Sequence, residues 1–525
     1  MSQKEPIDLF PFSSFRKYQE DALQDALEAI RNGKNIILDL PTGIGKSPIN
    51  IALCNDVDSA YYTTPQRELR LQLRQDDDLS DDYHVLQARG DYVCDETGEK
   101  CDKCYYYTDI GETCNEAGRA CTYMDEIVNI IRSDTGVLTM SRLLISGQKK
   151  YNSFLKPREL MIVDEAQSLE DQVAGMHANV EIRSGKTVPG VILEPVIDEI
   201  EQPEASEEDE DKPVLMADEI MSEISTIRTR LSGYIDHHGG DPNKVNEVLE
   251  CKNIQSKLSY FYKEIDEDRD WVVNVYNDGI ELKPMRVDKF LRHYFWSQAN
   301  QIVLSTATVP YRGDEERWLS QLGLNADNFE VISYPSPFPE LNRLVHTRHE
   351  IGKMSQKEDE VWDTMMSRLN ELSGKHQGQK GLIHTASYGR AHKLVESAKS
   401  YHDLDGNIMA DRQGESTIEE WQNSDIDIMC SPSMTEGISL DGEKCEWQVL
   451  LKVPYPHPDD ARVRKMLQDD RWYWYNQKAG VKVLQSVGRA VRSKDDKANF
   501  YVFDSSFEDV RRSVTFPEWF EEAIC

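Results

Sequence analysis

The chain has 525 residues, 39% of them apolar and 29% charged, with a formal net charge of −34. That length exceeds what one hydrophobic core serves and predicts several folded units. No apolar run approaches the ~20 residues of a membrane span, and the opening Met1-Ser2-Gln3-Lys4-Glu5 lacks the apolar core of an export signal, so an intracellular protein with no membrane partner is expected.

The acidity argues against a plain nucleic-acid-binding protein, whose phosphate contacts need Lys and Arg. It leaves room for a motor that keeps one basic channel in an otherwise acidic surface. Part of the excess is local, with Glu201, Glu204, Glu207, Glu208, Asp209, Glu210 and Asp211 in one short stretch that reads as a solvated loop. Ten cysteines in an intracellular chain argue against a disulfide framework. Five of them, Cys94, Cys101, Cys104, Cys114 and Cys121, crowd one segment and suggest a metal or cluster site.

In chain order, short apolar runs predict strands at 35–40, 59–64, 136–140, 160–163 and 301–305, then a second set at 380–385, 425–430, 447–453 and 499–504. Strands alternating with helical stretches imply parallel sheets covered on both faces. Two sets imply two α/β domains, divided as 1–310 and 311–525, with functional residues at the carboxyl ends of the strands. Two stretches break the rhythm. Residues 90–125 are rich in Cys, Gly and Tyr, and residues 170–285 read as largely helical, with candidate helices at 217–232 and 242–268. Both are expected to be insertions into the first domain.

The first strand runs into Pro41-Thr42-Gly43-Ile44-Gly45-Lys46-Ser47 and then a helical stretch, the context of a phosphate-binding loop. The glycines let backbone N–H groups approach phosphates, Lys46 brings a charge to the β- and γ-phosphates, and Ser47 can ligate Mg²⁺. Leu40 stands where such loops usually carry their first glycine. Met161-Ile162-Val163 runs into Asp164-Glu165-Ala166-Gln167. Asp164 would hold Mg²⁺ and Glu165 would orient or deprotonate an attacking water. An acid pair at a strand end also suits a helix start, but its position downstream of the phosphate loop favours the catalytic reading. Gln485-Ser486-Val487-Gly488-Arg489-Ala490-Val491-Arg492 sets Arg489 and Arg492 three apart on one helix face. They suit arginine fingers on ATP or an exposed basic helix.

These residues together resemble the superfamily 2 helicases, and within them the XPD/DinG family of iron–sulfur DNA helicases. Arg16-Lys17-Tyr18-Gln19 is similar to that family's glutamine motif on the adenine side. Thr63-Thr64-Pro65 resembles motif Ia, Asp164–Gln167 motif II, Ser305-Thr306-Ala307-Thr308 motif III, Glu436-Gly437-Ile438-Ser439-Leu440-Asp441-Gly442 motif V and Gln485–Arg492 motif VI. Trp271-Val272-Val273, Ser336-Pro337-Phe338-Pro339 and Val453-Pro454-Tyr455-Pro456 are similar in phrasing as well. The resemblance runs from about residue 15 to 520. It implies two RecA-like domains with ATP and Mg²⁺ between them, contacts to nucleotide from Gln19, the phosphate loop, Gly437 and Asp441, and catalytic roles for Lys46, Asp164, Glu165, Gln485, Arg489 and Arg492. Gln167 departs from the family's usual His, which implies altered coupling and retained hydrolysis.

The same resemblance implies a [4Fe–4S] cluster in the cysteine insertion, a helical arch in the second insertion, translocation 5′ to 3′ on single-stranded DNA, forked or tailed duplexes as substrates, and a monomeric motor. Cys94, Cys101, Cys104 and Cys121 match the family spacing, with Cys114 as an alternative ligand in a set that omits Cys101. On residue chemistry alone, a Cys₄ zinc site is the rival, because a C-x₂-C knuckle suits either metal. Tyr105, Tyr106 and Tyr107 suit packing around such a site or stacking on bases. Two rival functions carry the same motifs, a translocase that remodels protein–DNA complexes and a non-hydrolysing regulatory module.

Overall fold

The computed structural model describes residues 4–525 except 66–69, 71–82, 95–97, 99, 102–120, 149–154, 198, 201–212, 242–243, 268, 355–357, 413–416, 433–439, 441, 489–490 and 492. The strands in chain order are β1 (Asn35–Asp39), β2 (Ala60–Thr63), β3 (Tyr83–Val85), β4 (Thr135–Leu138), β5 (Arg158–Asp164), β6 (Val180–Arg183), β7 (Trp271–Tyr276), β8 (Gly279–Pro284), β9 (Ala299–Thr306), β10 (Phe329–Ser333), β11 (Val345–His346), β12 (Gly381–His384), β13 (Ile408–Ala410), β14 (Ile428–Ser431), β15 (Trp447–Leu450) and β16 (Asn499–Val502).

Seven strands form one sheet in the order β10-β1-β9-β5-β2-β4-β3, and six form a second in the order β11-β16-β15-β12-β14-β13. Every pairing within these two sheets is parallel. Both are the RecA-like α/β layers expected. Alternate residues of β1 go to opposite cores, Ile36 and Leu38 to one and Ile37 to the other. A strand buried on both faces reads as a continuous apolar run, which is why β1, β5 and β9 are visible in the sequence.

The first sheet extends beyond the expected boundary at residue 310. β10 pairs in register with β1, Asn35 opposite Phe329 and Asp39 opposite Ser333, so the chain crosses to the second sheet only between Ser333 and Val345. β10 is an edge strand, and only Ile332 of its five residues is buried. It therefore presents no apolar run.

Residues 180–284 build a unit with its own core. Helix Val245–Ile265 falls within the expected 242–268, and helix Met221–His238 overlaps the expected 217–232 and runs past its end. They pack Ile224, Ile227, Leu231, Leu258 and Phe261 against Val180, Ile182, Trp271 and Leu282. The largely helical expectation missed a three-stranded antiparallel sheet, β6-β8-β7. Its tight hairpin pairs Tyr276 with Gly279 around Asn277-Asp278, a turn composition that favours two-residue hairpins.

At the base of this unit the His177 ring lies 2.9 Å from the Ser141 hydroxyl. Burial, and then the Lys257 charge, lower its pKa to about 4. Folding therefore favours neutral His177, so this contribution is present above pH 6.5 and is lost as pH falls toward 4. The loss approaches roughly 3 kcal/mol. His177→Gln is expected to flatten the fall in melting temperature across that window, as followed by calorimetry.

Candidate active site

β9 lies between β1 and β5, with Asp39 opposite Thr306 and Asp164 opposite Ser305. The carboxyl ends of three adjacent strands thus gather the phosphate loop, the acid pair and the Ser-Thr-Ala-Thr segment. Leu40 continues β1. Its N–H donates to the Thr306 carbonyl at 3.0 Å and its side chain is buried. The loop therefore turns only after Pro41, and a glycine at Leu40 is not needed for the turn.

Gly43 and Gly45 hold φ of 85° and 90°, in the left-handed region that glycine adopts without a Cβ penalty. Thr42 is half-buried and Ile44 fully buried, which anchors the loop. Helix Lys46–Cys54 starts directly after Gly45 with no side-chain cap, leaving its first N–H groups for an anion. Gln19 is buried and grips the loop from behind. Its Oε1 accepts from the Arg16 N–H at 2.6 Å, and its Nε2 donates to the Gly45 carbonyl at 3.2 Å. A Cβ on Gly45 would lie 2.2 Å from that Nε2. Lys46 Nζ sits 3.5 Å from the Leu40 carbonyl.

Asp164 is buried, and Tyr62 donates to its Oδ2 at 3.3 Å while accepting from Asn50 at 3.4 Å. Burial first, and then the neighbouring Glu165 charge, push the Asp164 carboxyl up, against the pull of Lys46. Glu165 has φ 53°, a conformation rare for a residue with a side chain and common where strain serves a site. Gln167 joins two motifs. Its Nε2 donates to Glu165 Oε2 at 2.5 Å, its Oε1 accepts from the Thr306 hydroxyl at 2.5 Å, and Thr306 Oγ1 accepts from the Thr308 N–H at 3.0 Å. A neutral amide donates one way and accepts the other without titrating.

The second domain closes the far side. Leu484, Gln485, Gly488 and Trp519 line a cleft of about 230 Å³ together with Thr42, Lys46, Ser47, Asp164, Glu165 and Thr308. Gly488 packs so closely that a Cβ there would lie 3.0 Å from Thr42. Among the described residues, the buried hydroxyls of Ser305 and Thr308 have no hydrogen-bond partner. Of these, Thr308 lines the cleft beside Lys46, Ser47, Asp164 and Glu165, a donor and acceptor set that fits a nucleoside triphosphate, and Ser47 and Asp164 are the residues that could hold its Mg²⁺. Arg489, Arg492, Gly437 and Asp441 lie outside the described residues. Tyr62, Asn50 and Trp519 were not anticipated as parts of the site. Tyr62 carried only its place on a strand next to Thr63-Thr64-Pro65, and Trp519 carried no signal.

Two family models match the chain in order. "Type III restriction enzyme, res subunit" covers residues 12–180 and "Helicase C-terminal domain" covers residues 369–523. A solved XPD helicase superposes with a TM-score of 0.64 at 15% identity, covering 96% of this chain and 98% of that one. Xpd4 of S. tokodaii superposes at 0.60 with 15% identity, covering 97% and 99%. The two family models, the fold and the curated relatives are consistent with an XPD/DinG-like helicase of superfamily 2. Among curated proteins, the ATP-dependent DNA helicase XPD of Sulfolobus acidocaldarius is 33% identical over 87 residues, 15% of this chain and 16% of that protein. The regulator of telomere elongation helicase 1 homolog of Culex quinquefasciatus is 21% identical over 233 residues, 40% of this chain and 20% of that protein. The matched segments thus span a fifth or less of these curated relatives.

The cysteine segment is only partly described. Val93 pairs with Lys100 in an antiparallel bridge, and the Cys101 N–H donates to the Tyr92 carbonyl at 2.8 Å. That bridge sets Cys101 opposite Tyr92. Cys101 is buried in one core with Tyr92 and Tyr123, and Cys121 packs against it. The Tyr92 and Tyr123 ring centroids are 5.4 Å apart. Among the described residues, no three His, Cys, Asp or Glu gather closely enough to hold a metal ion. Cys104, Cys114, Tyr105, Tyr106 and Tyr107 fall outside those residues, as does the acidic run 201–211.

Proposed function

We propose that this protein is an ATP-dependent DNA helicase that translocates 5′ to 3′ on single-stranded DNA and unwinds forked or tailed duplexes. The observation that carries the reading is the cleft, where Lys46, Ser47, Asp164 and Glu165 of the first domain face Gln485 and Gly488 of the second. A site divided between two domains suits hydrolysis coupled to domain closure. DNA as the track rests on the family and on the S. acidocaldarius relative named an ATP-dependent DNA helicase. The polarity rests on the resemblance of the motifs.

In this mechanism the loop N–H groups and Lys46 bind the β- and γ-phosphates. Ser47 and Asp164 would hold Mg²⁺, which neutralises phosphate charge. Glu165 orients the attacking water and accepts its proton. Gln19 braces the phosphate loop and, with Gly437 and Asp441, completes the nucleotide contacts. Gln485 with Arg489 and Arg492 meets the γ-phosphate when the domains close. Gln167 carries the state of Glu165 to Thr306. Gln167→Ala is expected to lower DNA-stimulated turnover about tenfold, the loss of roughly one hydrogen bond to a charged group, with ATP affinity kept. Steady-state hydrolysis beside equilibrium nucleotide binding checks this.

We also propose a [4Fe–4S] cluster on Cys94, Cys101, Cys104 and Cys121, with a set that takes Cys114 and omits Cys101 as the alternative. Its support is the spacing of the cysteines, the packing of Cys101 and Cys121 in one core, and thiolate as the usual ligand of such clusters. Protein purified without air is expected to be brown, with iron and acid-labile sulfide in equal amounts; colourless protein holding one zinc overturns the cluster.

The function is tested with 5′- and 3′-tailed duplexes beside a streptavidin-displacement substrate. Unwinding of the 5′-tailed duplex alone supports the proposal. Streptavidin displacement without unwinding favours a remodelling translocase instead.

A further inference from the structure

Outside the nucleotide cleft, one buried charge cluster joins the two domains. Glu170 lies on the segment that follows Gln167 and is only 8% exposed. Its Oε1 accepts from Arg462 Nη2 at 2.6 Å and from the Trp474 indole at 3.3 Å, and its Oε2 lies 2.7 Å from Lys478 Nζ. Lys478 also reaches Asp171 at 2.7 Å. One first-domain carboxylate therefore holds three side chains of the second domain.

Lys478 and Gln485 share helix Trp472–Val487, about two turns and ~10 Å apart on one face. A cavity of about 280 Å³ is lined by Gln167 and Glu170 from one side and by Lys478 and Gln485 from the other. The neighbouring residue Gln477 accepts from the Tyr311 N–H at 3.1 Å, a second link into the first domain on the same helix turn.

We infer that Glu170 is a positioning residue for hydrolysis, fixing helix Trp472–Val487 so that Gln485 and the arginine segment after it meet the nucleotide; this rests on the proposed ATPase function. The electrostatics agree. Burial alone would raise the Glu170 carboxyl, but Lys478 and Arg462 hold it well below the usual carboxylate range. Arg462 and Lys478 are both buried against Glu170, while Asp171 meets Lys478 from the exposed side, so removing the Glu170 carboxylate leaves buried positive charge unpaired. Glu170 does not line the nucleotide cleft. It acts through the helix, so its loss falls on turnover with ATP affinity intact.

The test uses the full chain, with Glu170→Gln, Lys478→Gln and the double variant. ATP turnover with single-stranded DNA is read beside binding of a fluorescent ATP analogue and the melting temperature. Expected for Glu170→Gln is a fall in kcat of at least about tenfold with the KM for ATP and analogue affinity within about twofold of wild type. The double variant, which restores the charge balance, is expected to lose no more than the worse single variant, because the pair acts as one unit. Lys478→Arg, which keeps the charge, is expected to retain more turnover than Lys478→Gln. Wild-type kcat in Glu170→Gln overturns the inference, as does a loss of analogue affinity matching the loss of kcat. Should Glu170→Gln not fold, the same split is required of the double variant. A wild-type chain that hydrolyses no ATP overturns the proposed function instead.

Discussion

Lys46→Ala is expected to lower DNA-stimulated ATP turnover by about 10²–10³-fold or more, the scale of removing one charge-stabilising group from a reacting centre. Lys46 opens the helix at the end of the phosphate loop, where its ammonium can reach the transferring phosphoryl group. Without nucleotide, the contact of its Nζ is the Leu40 carbonyl at 3.5 Å, a long hydrogen bond that contributes little to the fold. Melting temperature should therefore stay near wild type while turnover collapses. Undiminished hydrolysis in Lys46→Ala would remove this loop from the reaction.

Glu165→Gln should separate binding from chemistry. The carboxylate is the group assigned to take the water proton, and loss of a positioned base costs about 10²–10⁴-fold. Nucleotide affinity should hold, because Lys46, Ser47 and Asp164 remain. Glu165 is one of the influences that push the Asp164 carboxyl up, after burial. Removing its charge therefore eases ionisation of Asp164 and should not weaken Mg²⁺. The amide oxygen can still accept from Gln167, which donates to that position at 2.5 Å, so the left-handed turn at residue 165 should persist. Equilibrium binding of ATP with single-turnover hydrolysis reads both properties, and weakened binding with intact chemistry would contradict the assignment.

The parts legible in the sequence share a physical cause. β1, β5 and β9 are buried on both faces, so they appear as apolar runs, and each ends in polar residues at the sheet's carboxyl edge. That pattern makes the phosphate loop, Asp164-Glu165 and Ser305–Thr308 legible in the sequence. Elements with one exposed face were hidden. β10 buries a single side chain, which put the domain boundary too early, and the short strands β11 and β13 have too few residues for a period to register. The antiparallel hairpin β7–β8 was lost inside a stretch dominated by two long helices.

Contacts between distant segments were equally invisible. Nothing near Glu170 in the chain announces partners about 300 residues away. Gln19 showed its place in a motif, yet both ends of its amide are used by Arg16 and Gly45, which makes it a brace for the phosphate loop as well. Gln167 read as a departure from the family pattern, and its two hydrogen bonds give a reason why an amide serves there.

The central claim is that the two-domain cleft hydrolyses ATP to move on single-stranded DNA. The most direct measurement is Mg²⁺-dependent ATP hydrolysis by the full chain, alone and with single-stranded DNA, duplex DNA or single-stranded RNA. Slow turnover alone and strong stimulation by single-stranded DNA above the other two are expected. Absence of hydrolysis with every nucleic acid, in protein that still binds ATP, would contradict the claim and leave a nucleotide-binding regulatory module.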